Sequence, residues 1–549
     1  MPRNVSAPNR TKREPLVIRL ADPGMTPLLR CGLGGLAASL RAILLRGDPK
    51  AGWPAPVAIG CGEARVEPAD ITIDWKDANP EEVARSLFDE SFRIRPPGII
   101  DLPGSADLAR PFDVALACAL QAGLKKTFLQ HGKMTTKAGP PTAIESEIDG
   151  RQLSVHFQPY STFKHQTVFR AETSGYTAVC EALATGSVAL AGWAYPGATE
   201  RHIGLSGATR CSYDARLALC ACFALVGCLS LEVARARGDG VLVIVEPADL
   251  VRFAVTRPRL TPRRLADAYA TGPGDAVLAV HLAMRSDDVV RARPGVASAH
   301  GVAMRTLPWA TQQKTRAATI SVSSIDSGRL DVYDDVVRTL PNRIMLGVGD
   351  DEEEGDGSAG FFAATSALRG FVAENIAAGH RWFAGFARAT TGGKKPRFIH
   401  YFRAKDQKNL GALYPYEKAG LVAMLKHLED AEVALVRAVH TALRQRFRAI
   451  ADECKYLATQ TMRDRFNGER DRWRFAFAGA KTPEQIRAAL AELWSRAGPN
   501  SELRARWEVL LPLLRAEHWE TARDLALVAL ASYQGALANG DATASDSVN

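Results

Sequence analysis

The chain has 549 residues, 46% hydrophobic and 23% charged, with nine cysteines and a formal net charge of +9. These proportions are those of a globular chain with room for two or more cores, and they exclude collagen-like and low-complexity architectures. The basic excess points to a polyanionic partner. The odd cysteine count, with no C-x-x-C pair, fits a reducing cytosol better than a disulfide framework.

In chain order, "MPRNVSAPNRTKREP" is polar and basic with no apolar core behind it, so no signal peptide is expected. "PLVIRLAD" then has the pattern of a buried strand. "RCGLGGLAASLRAI" (30–43) follows, in which Gly32, Gly34 and Ala37 satisfy the G-x-G-x-x-G/A spacing of dinucleotide-binding turns. That fingerprint needs a strand ending at the first glycine and an acid about 20 residues on. Here the strand stops about ten residues early, Asp48 is too near and Glu63 lies beyond another turn. The glycines therefore read as positions of tight helix packing.

"PEEVARSLFDESF" has helical spacing, with Pro80 at its first position. "HGKMTTKAGPP" (131–141) reads as a linker. The longest uncharged apolar run, Leu217 to Leu231, is 15 residues, short of the roughly 20 that cross a bilayer. It reads as a buried helix in which Cys220, Cys222 and Cys228 are small apolar residues. A cytoplasmic chain with no membrane partner is expected. "DGVLVIVEPADL" reads as a buried strand, and "GDAVLAVHLAMR" as a strand or a helix.

"GVGDDEEEGDGSAG" (347–360) is too acidic and glycine-rich to pack and is the expected domain boundary. "ATTGGKKPR" (389–397) reads as a basic turn. Beyond Gly411, apolar residues recur at Leu421, Leu425, Leu428, Leu435, Val439, Leu443, Phe447, Ile450 and Leu457, one face of a long helix. "PEQIRAALAELWSRA", "ELRARWEVLLPLLRA" and "WETARDLALVALASYQGAL" give three more helices, and "NGDATASDSVN" an expected disordered end. The expected fold is α+β: a mixed α/β region over 1–346, the acidic linker 347–360, and a helical region 361–540 with a bundle at about 411–540.

No catalytic constellation emerges. There is no H-E-x-x-H, "GLSGA" has Ala208 where a nucleophile elbow needs glycine, and "ATTGGKKP" lacks a phosphate loop's first glycine and its Ser/Thr. His427 and His440 are too far apart to ligate one ion. No catalytic residue, metal site or cofactor is expected, and the chain is read as a non-enzyme.

Charge is where the sequence speaks. Residues 392–480 hold 18 Lys and Arg against 10 Asp and Glu, almost the whole positive excess of the chain. The stretch opens with Lys394, Lys395, Arg397, Arg403, Lys405 and Lys408, interleaved with Phe398, Tyr401 and Phe402. It continues with Arg437, Arg444, Arg446 and Arg448, then Arg463, Arg465, Arg470, Arg472 and Arg474. Cations neutralise phosphates and aromatics stack on unpaired bases, which suits single-stranded nucleic acid. A second candidate is the loop "MRTLPWATQQKTRAAT" (304–319), where Gln312 and Gln313 can address base edges while Lys314 and Arg316 hold phosphates. Lys125, Lys126, Lys133 and Lys137 form a third, weaker basic stretch.

Several pieces, in order along the chain, carry a resemblance: "LADPGMTPLLRCGLGGLAASLRAI", "RPPGIIDLPG" with "TFLQHGK", "VLVIVEPADLVRFA", "LPWATQQKTR" and "LYPYEKAGLVAMLKHLEDAEVALVRAVHTALRQRF". Together they resemble the large subunit of type I CRISPR effector (Cascade) complexes, nearest the Myxan subtype. The resemblance implies a structural role for the glycine-rich stretch and a non-enzymatic subunit bound to guide RNA (crRNA) beside the handle-binding and backbone subunits. It implies recognition of the protospacer-adjacent motif in double-stranded target DNA, help in R-loop formation, and a C-terminal bundle holding the displaced strand. It also implies recruitment of a helicase-nuclease or a transposition factor. A separate small subunit, made by internal translation from Met424 or from Met345, is a further expectation of the same kind. Two alternatives stand beside it: another RNA- or tRNA-binding protein, and a nucleotide-cofactor enzyme built on Gly32 and Gly34.

Overall fold

The computed structural model describes residues 14–167, 187–190, 194–197, 211–234, 239–309, 312–346, 361–391, 413–456 and 458–534. The chain forms two compact units: Met1–Leu330 with Asn342–Thr365, and Asp331–Pro341 with Ser366–Asn549. The acidic stretch 347–360 lies outside the described residues. The architecture is α+β, with mixed sheets in the N-terminal part and helices in the C-terminal part.

In the first unit, β1 (Leu16–Arg19) leads into α1 (Pro27–Gly47), followed by β2 (Val57–Ile59), β3 (Gly62–Val66), β4 (Asp70–Asp74) and α2 (Pro80–Ser91). The four strands make an antiparallel sheet in the order β1-β4-β3-β2. Alternation places Ala64, Val66, Ile71 and Ile73 in the core. Both helices start as their sequences dictate. Thr26 Oγ1 accepts the Leu29 N–H at 3.4 Å and Asn79 Oδ1 accepts the Glu81 N–H at 3.2 Å, with proline at the first helical turn in each.

The rest of the unit contains α3 (Val114–Lys126), α4 (Ala215–Gly227), β5 (Leu229–Val233), β6 (Asp239–Pro247), α5 (Leu250–Leu260), β7 (Tyr269–Ala270), α6 (Pro273–Ser286), β8 (Val296–Trp309) and β9 (Gln312–Val322). A five-stranded sheet runs β7-β5-β6-β8-β9. Two sequence expectations change here. The ambiguous "GDAVLAVHLAMR" is helix α6, begun by Pro273. The 131–141 linker holds a 3-10 turn, Gly132–Met134, and a strand, Thr135–Lys137, which pairs with Tyr160–Phe163. Its backbone donors are satisfied across a sheet, a long-range fact that local polarity does not reveal.

The glycine-rich stretch lies inside α1, whose long apolar surface is covered by the fold. A Cβ on Gly32 would stand 1.9 Å from the carbonyl oxygen of Cys220, and one on Gly35 2.3 Å from that of Phe223. Reciprocally, a Cβ on Gly227 would stand 2.0 Å from the oxygen of Cys31. Helices α1 and α4 therefore cross backbone against backbone. Gly34 faces the Phe253 ring, where a Cβ would lie 2.5 Å from a ring carbon. Alpha-1 has the length and apolarity of a membrane span, but it is a core helix here, with Leu33, Leu36 and Leu40 at 0% exposure. Cys220 and Cys222 are fully buried beside it and Cys228 nearly so.

The second unit is helical: α7 (Ala367–Ala377), α8 (Phe386–Thr391), α9 (Leu413–Met424), α10 (Asp430–Glu453), α11 (Thr459–Gly479), α12 (Pro483–Ala497), α13 (Ser501–Leu510) and α14 (Trp519–Ser532). The single long helix expected from Leu421 onward is broken. Alpha-9 ends at Met424, a 3-10 turn covers Leu425–His427, and α10 begins after Glu429. The cause is a capping box, in which the Glu432 carboxylate accepts the Glu429 N–H at 2.8 Å while the Glu429 side chain accepts the N–H of Glu432. Helix α13 likewise stops before Pro512, where a 3-10 turn takes over. The N-terminal part of the unit is pinned to its last helix: Asp524 accepts the N–H of Gly385 at 2.7 Å and of Ala387 at 2.8 Å. Of the 389–397 turn, 389–391 close α8 and the rest lies outside the described residues.

Candidate nucleic-acid interface

Helix α10 builds the clearest basic surface. Leu435, Val439, Leu443, Phe447 and Ile450, spaced by four and three, form its buried face. On its exposed side stand Arg437, Arg444 and Arg448, spaced by seven and four. Those steps return to nearly the same angle at 3.6 residues per turn, so the three occupy one line about 16 Å long. None of the three has a carboxylate partner among the described residues.

The other six arginines of the two helices divide by their surroundings. Arg463 is exposed and also has no carboxylate partner among the described residues. Arg465 pairs with Glu453 at 3.0 Å and Arg472 with Glu492 at 2.7 Å, both exposed pairs that are cheap to exchange for phosphate. Arg470 lies 5.3 Å over the Phe447 ring. Two are structural. Arg474 is 3% exposed and bonded to Asp471 at 3.0 Å. Arg446 is engaged with Glu469 at 3.0 Å, an acid that also accepts the Trp473 indole N–H at 2.9 Å. A charge buried against its counter-ion is not free to meet a strand, so these two leave the candidate surface.

Buried titratable groups feel some of these arginines. The Lys418 amine on α9 is held down to about 8, chiefly by burial and then by Arg470. His440 is pushed down to about 4 by burial, with Arg444 acting in the same direction, and its Nε2 lies 2.9 Å from the Ala529 carbonyl oxygen. Its neutral form with the proton on Nε2 donates to that oxygen. Tyr533 is raised by burial, while Arg444 and Arg470 act to lower it. Lys418 was not singled out by sequence because its cationic neighbour is 52 positions away in the chain. Tyr456 is 90% exposed in the turn between α10 and α11, an exposure that a lone aromatic in the sequence does not signal.

The 304–319 candidate is not a loop. It is the far end of the β8–β9 hairpin, with register Trp309↔Gln312, Pro308↔Gln313, Leu307↔Lys314 and Arg305↔Arg316. Gln312, Gln313, Lys314 and Arg316 thus sit on the edge strand of the five-stranded sheet. The basic stretch at 124–137 is dispersed. Lys125 donates to Thr135 Oγ1 at 3.1 Å, lies 5.5 Å from the centre of the Tyr160 ring, and is lowered to about 8 by burial and then by Lys137. Lys126 ends α3 with its Cβ against Gly240, where a side chain would come within 2.5 Å. Lys137 is exposed. The side chain of Lys133, and all of Lys394, Lys395, Arg397, Arg403, Lys405 and Lys408, lie outside the described residues. Among the described residues, no group of three or more His, Cys, Asp or Glu is arranged to hold a metal ion.

The helical unit thus carries a line of arginines without carboxylate partners among the described residues. The DevT N-terminal domain matches residues 17–222 and the DevT C-terminal domain residues 425–548. The chain belongs to the large-subunit family of type I CRISPR effector complexes, of the Myxan (DevT) type. The CRISPR-associated protein Cas8a1/Csx13 of Myxococcus xanthus (strain DK1622) is 50% identical over 524 residues, covering 95% of this chain and 89% of that relative. Membership implies assembly with other Cas subunits, in a family whose large subunits are generally non-catalytic.

Proposed function

We propose that this chain is the non-enzymatic target-DNA subunit of its effector complex: it reads the protospacer-adjacent motif in the duplex, aids strand opening, and holds the displaced strand. The observation that carries the reading is the line of Arg437, Arg444 and Arg448, three cations without carboxylate partners among the described residues. Exchange of a DNA duplex for an RNA–DNA heteroduplex is nearly balanced in base-pairing energy, so a few backbone contacts to the freed strand tip it. Such contacts need charge and reach but no base specificity.

Motif reading falls to the β8–β9 hairpin in this account. A two-stranded ribbon fits the major groove, and Gln312, Gln313, Lys314 and Arg316 supply groups that address base edges and phosphates. Guide RNA, handle-binding and backbone subunits complete the complex, and a helicase-nuclease or a transposition factor acts downstream. A small subunit started at Met424 belongs to the same proposal, supported by the C-terminal domain match beginning at residue 425.

The test is an electrophoretic shift of the reconstituted complex with guide RNA, on duplexes that differ only in the flanking trinucleotide. Gln312→Ala with Lys314→Ala is expected to erase the preference between duplexes. Arg437→Gln, Arg444→Gln and Arg448→Gln together should weaken capture of all of them alike. A preference that survives the hairpin substitutions unchanged would falsify the assignment of motif reading to this strand.

A further inference from the structure

We infer that Tyr456 is a base-stacking platform for the displaced DNA strand, placed where the arginine line of α10 runs out. The inference rests on the reading above and adds the element that tells an unpaired strand from a duplex. Of the large exposed apolar side chains among the described residues, Tyr456 is the most exposed, at 90%. It stands in the turn between α10 and α11, after Arg448 on the last turns of α10 and ahead of Arg463 on the second turn of α11. Its ring is flanked by Lys455, whose Nζ lies 5.6 Å from the ring centre, and is otherwise in solvent.

A ring so far out of the fold has almost no burial to contribute. What it does offer is a flat, exposed ring beside a cation, in the turn that joins two arginine-bearing helices. Duplex DNA hides its base faces in the stack, whereas a single strand presents them together with the phosphates on either side. The arginine line matches the phosphates and Tyr456 matches a base. Of the acids at this turn, Glu453 is engaged by Arg465 at 3.0 Å and Asp464 accepts from Gln460 at 2.8 Å. Asp452 remains exposed, so Asp452→Asn is expected to tighten strand binding.

The experiment is fluorescence anisotropy on the full chain with labelled oligo-dT, oligo-U of equal length, and a mixed-sequence duplex. Tyr456→Ala is expected to weaken oligo-dT binding about tenfold, with the duplex changed by less than about twofold, and Tyr456→Trp to retain wild-type affinity for oligo-dT. An unchanged melting temperature establishes that the fold is intact. A loss below about twofold on oligo-dT, an equal loss on the duplex, or a loss confined to oligo-U overturns the inference. If the triple arginine variant loses affinity while Tyr456→Ala is silent, the stacking role falls and the backbone-binding reading stands. If the triple variant is silent as well, both fall.

Discussion

Replacing Arg437, Arg444 and Arg448 by glutamine removes three charges from the exposed side of α10 and leaves its buried face untouched. If each meets one phosphate of a single strand, each contributes about 0.7 to the slope of log K against log salt. Three contacts then contribute a slope of about 2, worth roughly a hundredfold in affinity at 0.1 M salt. Between 50 and 200 mM salt, the wild-type chain should lose roughly 20-fold more affinity than the triple variant. Anisotropy titrations on oligo-dT at four or five salt concentrations measure that slope. Arg446→Gln and Arg474→Gln serve as controls: each should lower the melting temperature, because the ion pair to Glu469 or Asp471 is broken, without changing the slope. Parallel salt lines for wild type and triple variant would refute the reasoning, whatever the absolute affinities.

Three further outcomes follow from the packing. Gly32→Ala, which elsewhere in a helix would gain up to about 1 kcal/mol in propensity, should cost about 3 kcal/mol or more here, because its Cβ would sit 1.9 Å from the Cys220 oxygen; thermal melting reads the sign directly. Asp524→Ala strands the N–H groups of Gly385 and Ala387 and should destabilise the helical unit by about 2–4 kcal/mol; for the same reason a fragment of residues 424–549 should melt well below one of residues 366–549. Protonation of His440 gives a pH signature. Its folded value of about 4 lies below the usual 6.5, so the unfolded chain takes up the proton first as pH falls. The stability it contributes is whole above about pH 6.5 and is lost progressively toward pH 4, up to about 3 kcal/mol, and His440→Gln should flatten that stretch of the stability curve in denaturant titrations.

What the sequence reveals depends mostly on near neighbours. Pro80 announces the start of α2, the apolar run at 239–247 announces a buried strand, and the apolar steps along α10 announce its buried face. The glycines at 32 and 34 were legible as packing positions, because the dinucleotide fingerprint failed on spacing. Part of what stayed hidden is local: the capping box between Glu429 and Glu432 breaks an apolar periodicity that runs through it unchanged. The rest depends on partners distant in sequence. The hairpin at 296–322 looks irregular because Pro308 and a crowd of polar residues mask its alternation. Arg446 is indistinguishable in sequence from Arg444 and Arg448. Only the position of Glu469, 23 residues on, separates an arginine that holds the bundle together from one that faces water.

The pinning of Gly385 and Ala387 by Asp524 bears on how the molecule is made. The two ends of that clasp are 139 and 137 positions apart, and the acid belongs to the last helix of the unit. During synthesis the segment that precedes α9 must wait, its donors turned to water, until α14 has been translated. Translation that stops anywhere upstream of Asp524 therefore yields a product that lacks its closing bond.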